Sequence, residues 1–188
     1  MQAGRDNLTV IHVPNVTIAA APSVIQVVVM GVAGCGKSTV GRLMAEALSL
    51  PLVEGDDFHC ASNIRKMQQG IALTDADRAD WLQALGSELA RHPGGVVLTC
   101  SALKTAYRDS LRSATTRLHF VHLVITVAES LRRVSQRPGH FYPPSLVASQ
   151  FAALQDPASE PALLTLAAEA PPEDLARSAV AWLIDSAR

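Results

Sequence analysis

The stretch "VVVMGVAGCGKST" at 27–39 restricts the fold more than any other part of the chain. Gly31, Gly36, Lys37 and Ser38 fit the Walker A pattern G-x-x-x-x-G-K-[ST], in which the backbone N–H groups of a glycine-rich loop surround phosphate. The apolar run before the loop and the amphipathic run after it supply the strand and helix that this motif requires. A simple glycine turn, which is the alternative, would not need the Lys-Ser pair. The stretch therefore predicts a phosphate-binding loop between a buried strand and a helix.

Apolar strand-like runs alternate with helical patterns along the rest of the chain, which is typical of a parallel sheet covered by helices on both faces. The predicted strands are 24–30, 51–54, 95–100, 118–125 and 163–166. The predicted helices are 37–49, about 62–69, and three that open at Thr74, at Thr126 and at Pro171 or Pro172. Asp77 and Glu129 follow the two threonines by three residues, which is the spacing of a capping box. The sequence therefore predicts an α/β fold.

The length of 188 residues is sufficient for one α/β domain and short for two. We assign 24–188 to that domain and interpret 1–23 as a flexible N-terminal extension. No charged residue occurs between Asp6 and Lys37. Prolines and polar residues interrupt this run and the glycine loop ends it, so we favour an extension over a signal peptide or a membrane span.

Charge and cysteine content restrict the partners and the compartment. The formal net charge is −1, without a long run of one sign, so neither nucleic acid nor a membrane surface is expected as a partner. The cysteines, Cys35, Cys60 and Cys100, are odd in number and form no C-x-x-C pair. This usage fits a reduced, cytoplasmic compartment.

Two carboxylates follow the second predicted strand, in "VEGDDFH". Alternation along a strand directs Glu54 and Asp56 to the same side, at the edge where ligands bind in open α/β sheets. One carboxylate could hold the hydration shell of magnesium beside Ser38, while the other accepts a proton from an attacking hydroxyl or orients it. Capping of the next helix is the alternative, which we prefer for Asp57.

Cations follow the third predicted strand, in "CSALKTAYRDSLR". This segment lacks the aspartate that many P-loop enzymes use to organise magnesium, which leaves Glu54 and Asp56 as the available carboxylates. Lys104, Arg108 and Arg112 are spaced by four residues and share one helical face. We interpret Lys104 and Arg108 as clamps for an anionic acceptor, and Arg112 as either functional or part of a solvated face.

A possible lid follows the fourth predicted strand. Arg133 and Arg137 share a helix face immediately before "RPGHFYPP" at 137–144, a segment with three prolines and a glycine. Cations beside such a break suit a lid that closes on a nucleotide and neutralises charge on the transferred phosphoryl group. The alternative is that these arginines only complement the dipole at a helix end.

Four segments together resemble the gluconokinase family of small P-loop kinases. They are "MGVAGCGKST", "EGDDFHCASNIRKMQQGIALTDADRADWL", "CSALKTAYRDSLR" and "RPGHFYPPSLVASQFAALQDP", within roughly residues 25 to 185. The resemblance implies phosphorylation of D-gluconate to 6-phospho-D-gluconate with ATP and Mg²⁺. It also implies a three-layer P-loop kinase fold with a five-stranded parallel sheet of order 2-3-1-4-5, a mobile lid over about 137–150, and a homodimer.

The resemblance further implies roles for individual residues. The nucleotide would contact Gly31, Val32, Ala33, Gly34, Cys35, Gly36, Lys37, Ser38, Thr39, Arg133 and Arg137. The sugar acid would contact Asp56, His59, Lys66, Lys104, Arg108 and His140. Lys37, Asp56 and Arg137 would act in catalysis, and Ser38 and Glu54 would bind the metal.

The chain departs from the family pattern at three places. Cys35 replaces the usual serine or threonine, which would make the loop sensitive to oxidation. Pro138 replaces a frequent lysine, and "LTLAAEAPP" at 164–172 lacks an acidic residue near the expected adenine. Two other functions stay open: a kinase for another small anion such as shikimate, and a nucleotide-gated binding module without an acceptor. Asp56 followed by cations argues against the module, because a switch needs no acid beside a second anion site.

Overall fold

The structure is a computed structural model, and it describes residues 24–136 and 142–186. Within these residues, five strands alternate with seven α-helices. The strands are β1 (Gln26–Met30), β2 (Leu52–Glu54), β3 (Val96–Cys100), β4 (Leu118–Val124) and β5 (Leu163–Ala167). The helices are α1 (Lys37–Leu48), α2 (Ala61–Gln68), α3 (Asp75–Arg91), α4 (Thr105–Arg112), α5 (Val127–Ser135), α6 (Val147–Ala153) and α7 (Pro172–Ser186). Short 3-10 turns occupy Gly55–Phe58 and Pro144–Leu146. The predicted extension at 1–23 lies outside the described residues.

The five strands form one parallel sheet of order β2-β3-β1-β4-β5, which confirms the predicted fold class. Strand β1 is central, and its last residue, Met30, pairs with Cys100 of β3 and His122 of β4. All carboxyl ends meet at one edge, which is the usual ligand-binding edge of an open α/β sheet. The glycine loop that follows Met30 therefore lies at the centre of this edge.

Successive apolar residues of the central strand face opposite sides of the sheet, and both sides are buried under helices. Val27 and Val29 pack with Met44 of α1 and Leu183 of α7 on one face. Val28 and Met30 face the opposite side, where α3 and α4 contribute residues such as Leu85 and Leu111. Burying each such side chain stabilises the fold by about 1.5–3 kcal/mol. The result is a three-layer arrangement in which helices cover both faces of a parallel sheet.

The helix starts follow the predicted capping signals. The hydroxyl of Thr74 accepts a hydrogen bond from the N–H of Asp77, and the carboxylate of Asp77 accepts one from the N–H of Thr74. The hydroxyl of Thr126 accepts a hydrogen bond from the N–H of Glu129. Each contact satisfies an N–H group that the helix itself leaves unpaired. Both predicted capping pairs are confirmed.

A third and smaller apolar cluster lies apart from the two main ones. It consists of buried Met67, Leu73 and Leu146, with Tyr142 packed against them. We call it the peripheral cluster. It joins the α2–α3 connection to the segment before α6, and so brings the chain around residue 142 over the carboxyl edge of the sheet.

In the described part of the chain, no helix is both long enough and apolar enough to cross a bilayer.

Candidate active site

A cavity of about 480 Å³ lies at the carboxyl edge of the sheet. The glycine loop, the turn after β2, helix α3 and the segment from Tyr142 to Gln150 form its walls. Nine of the residues predicted for the site line it: Ala33, Gly34, Gly36, Lys37, Ser38, Thr39, Asp56, His59 and Arg133. Arg137 and His140 lie outside the described residues. The cavity thus joins the predicted phosphate loop to the predicted acceptor side.

The loop has the geometry of an anion site. Gly36 adopts a left-handed conformation (φ 97°) immediately before α1, so the first N–H groups of α1 point towards the cavity. Nζ of Lys37 donates hydrogen bonds to the carbonyl oxygens of Gly31 at 3.0 Å and Val32 at 3.1 Å. The ammonium group is therefore held against the loop, beside the space that a phosphate would occupy. The sequence predicted that Cys35 makes this loop sensitive to oxidation. In the structure Cys35 is buried, with 1% exposure.

Helix α5 packs directly against the loop. Gly34 has a φ of 76°, and a Cβ there would lie 3.0 Å from the carbonyl oxygen of Ser130, so a larger residue would be strained. Arg133 donates to the carbonyl oxygens of Gly34 at 3.4 Å and Ala168 at 3.1 Å, and to Glu129 at 2.7 Å. Arg133 is thus placed beside the phosphate loop.

Side chains hold both backbone polar groups of Ala33, which belong to successive peptide units. Its carbonyl oxygen accepts a hydrogen bond from the Ser130 hydroxyl at 2.7 Å. Its N–H donates to Oε1 of Gln150, in α6, at 2.6 Å. Neither Ser130 nor Gln150 could be identified from the sequence, because an uncharged polar residue inside a helix has no motif or charge pattern that marks it.

Glu54 and Ser38, the residues predicted to bind the metal, are in contact. Oε2 of Glu54 accepts a hydrogen bond from the Ser38 hydroxyl at 3.0 Å and another from the Thr99 hydroxyl. Oxygen ligands of this kind suit Mg²⁺, which keeps several waters and takes few ligands from the protein. Residues 24–136 and 142–186 contain no group of three or more His, Cys, Asp or Glu side chains that could hold a metal.

The turn after β2 brings Asp56 and His59 to the wall of the cavity. The His59 ring stacks on Trp81 with centroids 4.4 Å apart, and the Trp81 indole donates to the carbonyl oxygen of Gly55 at 2.7 Å. Burial lowers the pKa of His59 more than the nearby Asp56 carboxylate raises it. The imidazole is therefore neutral at pH 7 and can both donate to and accept from a hydroxyl group.

Arg78 also lines the cavity, although the sequence analysis did not select it. Its guanidinium donates to the carbonyl oxygen of Leu73 at 2.5 Å and lies 5.8 Å from the centre of the Tyr107 ring. A cation in the first turns of a helix is unfavourable with respect to the helix dipole. That position was the signal in the sequence that could have marked Arg78 as functional.

The structure places Lys66 and Lys104 in ion pairs rather than in the cavity wall. Lys66 contacts Asp77 at 2.5 Å, and Lys104 contacts both carboxylate oxygens of Asp75 at 2.7 and 2.8 Å. Their side chains are 42% and 31% exposed.

Arg108 lies beneath the loop that follows β3 and not at its surface. Its side chain has no exposed area, and it donates to both carboxylate oxygens of Glu160 and to the carbonyl oxygens of Ala102 and Leu103. Arg112 contacts the same carboxylate at 2.6 Å. In this arrangement Arg108 holds the loop in place and cannot reach a ligand, which differs from the clamp that its spacing predicted. Arg112 is neither at the cavity nor on a freely solvated face.

Known proteins provide an independent comparison. A family model described as shikimate kinase matches residues 33–158. A curated gluconokinase from Gluconobacter oxydans is 42% identical over 149 residues, which cover 78% of this chain and 84% of that protein. A gluconokinase structure from Sinorhizobium meliloti superposes with a TM-score of 0.81 at 43% identity, covering 89% of this chain and 95% of that one. Shikimate kinase from Acinetobacter baumannii superposes with a TM-score of 0.61 at 19% identity, covering 88% and 96%, a likeness of fold alone.

Proposed function

The chain belongs to the gluconokinase family, and from this premise we propose that it transfers the γ-phosphoryl group of ATP to D-gluconate, yielding 6-phospho-D-gluconate and ADP. The protein is a kinase that uses ATP. One structural observation supports the assignment most directly: a single cavity contains both the phosphate loop, with Lys37, and the acidic and cationic groups of the acceptor side, Asp56 and Arg78. Donor and acceptor can therefore meet without leaving the site.

The lining residues suggest how the transfer proceeds. A new bond forms between an acceptor hydroxyl oxygen and the γ-phosphorus, while the bond from that phosphorus to the β–γ bridging oxygen breaks and ADP leaves. Asp56 would accept the hydroxyl proton or orient the hydroxyl. Lys37 and Arg133 would neutralise charge on the phosphates. Positioning and electrostatics of this kind account for most of the catalysis in phosphoryl transfer.

Recognition of the sugar acid requires a cation for its carboxylate and polar groups for its hydroxyls. Arg78 is the guanidinium that lines the described cavity on the acceptor side, since Arg108 is buried. We assign the carboxylate contact to Arg78 and hydroxyl contacts to neutral His59. The predicted roles of Lys66, Lys104 and His140 at the sugar acid, and of Arg137 at the phosphates, stay predictions.

Ser38 and Glu54 would hold Mg²⁺ through their oxygens, because they already meet at 3.0 Å. When bound, Mg²⁺ neutralises charge on the β- and γ-phosphates.

The organisation of the whole protein is part of the proposal. One sheet with its covering helices supports a single kinase domain over 24–188, and the extension over 1–23 stays a prediction. Tyr142, Leu146, Ser149 and Gln150 line the cavity, which supports a lid over about 137–150. The three cysteines are unpaired, as expected in the cytoplasm. The family resemblance supports a homodimer, which sedimentation would test.

A coupled assay of ADP release distinguishes the candidate functions. Turnover should require gluconate and should be far lower with other aldonic acids or with shikimate. Equal ADP release with and without gluconate would instead favour a nucleotide-gated binding module.

Asp56→Asn tests the acceptor chemistry. Loss of the general base should lower kcat by roughly two orders of magnitude, with ATP binding largely retained. Asp57→Asn is the matched control, because this neighbouring aspartate is exposed and does not line the cavity. Equal activity of both variants would remove Asp56 from the mechanism.

A further inference from the structure

The hydrogen bond between the Ala33 N–H and Gln150 has no role in the mechanism above. Gln150 belongs to α6, the helix that follows the residues over the cavity, whereas Ala33 is the third residue of the phosphate-binding motif. The two residues are 117 positions apart in the chain, and their contact of 2.6 Å lies at the wall of the cavity. It is a long-range contact at the place where a phosphate binds.

The chemistry of the contact fixes the orientation of the Gln150 amide. A backbone N–H can only donate, so the group facing Ala33 must be the carbonyl oxygen Oε1 of Gln150. The amide nitrogen Nε2 is then the remaining polar group. Among residues 24–136 and 142–186, no acceptor lies within hydrogen-bond distance of Nε2. Since Gln150 lines the cavity together with Lys37 and Ser38, the two Nε2 hydrogens are available to a ligand there.

We propose that Gln150 contacts the γ-phosphoryl group of ATP: Oε1 holds the Ala33 N–H, and Nε2 donates a hydrogen bond to an oxygen of the phosphoryl group that is transferred. This inference rests on the proposed function for the identity of the nucleotide. Ser130 donates to the Ala33 carbonyl oxygen at 2.7 Å, so side chains hold the peptide groups on both sides of the Ala33 Cα. A fixed donor of this kind costs little reorganisation when charge redistributes during transfer.

Glutamine suits this role better than its charged relatives. A glutamate would accept from Ala33 equally well but would place a negative charge against the phosphate. A lysine would attract the phosphate but could not accept from Ala33. The glutamine amide has an acceptor and a donor on one planar group and so satisfies both neighbours.

The opposing interpretation is a structural hydrogen bond that merely ties α6 to the loop. The two interpretations differ for nucleotides with and without a γ-phosphate. A structural tie affects ADP and ATP alike, because both use the loop. A contact with the γ-phosphoryl group affects only ATP and its analogues.

The experiment uses the full-length chain and the variants Gln150→Glu and Gln150→Met. The first keeps an acceptor for Ala33 and exchanges the donor for a negative charge; the second removes both groups at similar volume. Calorimetric titration with Mg²⁺ and either ADP or a non-hydrolysable ATP analogue, without gluconate, gives the two affinities. Gln83→Glu is the matched control, because Gln83 is an exposed glutamine within helix α3.

We expect Gln150→Glu to bind ADP within about twofold of the wild type and the analogue at least tenfold more weakly. Its kcat with gluconate should fall by about 100-fold, which is the effect of removing one fixed donor to a developing charge, while the KM for gluconate changes less than threefold. Gln150→Met should also weaken binding of the analogue more than binding of ADP, but by a smaller factor. Gln83→Glu should match the wild type in every measurement.

Equal weakening of ADP and analogue in both Gln150 variants would establish the structural tie and overturn the proposal, as would unchanged binding of both nucleotides with kcat within threefold of the wild type. Failure of the wild type to phosphorylate gluconate would overturn the proposed function instead. The two titrations would still decide the role of Gln150, because neither requires the acceptor.

Discussion

Replacement of Glu160 by glutamine should destabilise the protein strongly, although the residue lies far from the phosphate loop in sequence. The Glu160 carboxylate is 12% exposed and pairs with the Arg108 side chain, which has no exposed area. The isosteric amide would leave a guanidinium buried beside a neutral group. Removing one partner of a buried ion pair costs about 3–5 kcal/mol. For a domain of this size, that loss corresponds to a decrease in Tm of about 6–20 °C.

The pH dependence of the destabilisation caused by Glu160→Gln provides a second test. Burial alone would raise the pKa of Glu160, but hydrogen bonds from Arg108 and Arg112 outweigh it, so the pKa lies below its ordinary value. A carboxylate with a lowered pKa stabilises the fold above its unfolded pKa, and this stabilisation disappears as the pH falls through the folded pKa. The difference between wild type and Glu160→Gln should therefore shrink in acid.

Urea unfolding monitored by tryptophan fluorescence measures both effects, at neutral pH and at a series of pH values below the ordinary glutamate pKa of about 4.3. Arg112→Gln is the matched control, because this arginine pairs with the same carboxylate but is 22% exposed; it should cost only about 1 kcal/mol. The reasoning is refuted if Glu160→Gln costs less than 1 kcal/mol, or if the two variants are equally destabilised.

Three further perturbations follow from the structure. Gly55→Ala should cost about 1–3 kcal/mol or more in denaturant unfolding, because a Cβ at this position would lie 2.2 Å from the carbonyl oxygen of Thr99; Gly94→Ala, with no atom within 4 Å of its Cβ, should change little. Lys37→Ala should nearly abolish turnover without lowering Tm, because Lys37 donates only to the loop itself; full activity in a folded variant would contradict the phosphate-loop assignment. Burial lowers the pKa of His119 below 6.5, so the unfolded state takes up more protons and stability should fall as the pH decreases through 6.5. His119→Phe should make this slope shallower in thermal unfolding, and an unchanged slope would mean that His119 does not contribute.

The elements of the fold could be predicted from the sequence because each has a local signal. Strand β1 ends in four consecutive apolar residues, 27–30, as expected for a strand buried on both faces. Helix α3 begins at the Thr74–Asp77 capping box, and α1 begins immediately after the glycine loop. The strand order, by contrast, came from the family resemblance, since local patterns do not specify which strands are neighbours.

The site was predictable only where its residues belong to a motif. Lys37 and Ser38 have fixed spacing, so their position beside the cavity could be read from the chain. Arg108 could not be assigned in this way, because its partner Glu160 is 52 residues distant in a loop. The spacing of Lys104, Arg108 and Arg112 predicted that they share one helical face. The role of each cation depends instead on its burial and on the carboxylate with which it pairs. Burial and ion pairing depend on tertiary contacts, which helical periodicity does not predict.

The peripheral cluster has a consequence for how the protein admits its ligands. Regions of a protein open independently when few apolar contacts hold them, and the cost of opening rises with the buried area that is lost. Met67, Leu73 and Leu146 are the buried residues of this cluster, whereas the phosphate loop continues from the central strand of the sheet. We therefore expect the chain segments joined by the peripheral cluster to open as a separate cooperative unit while the nucleotide loop stays folded. In hydrogen exchange, amides of α2 should lose protection by subglobal opening, and those of β1 only when the entire domain unfolds.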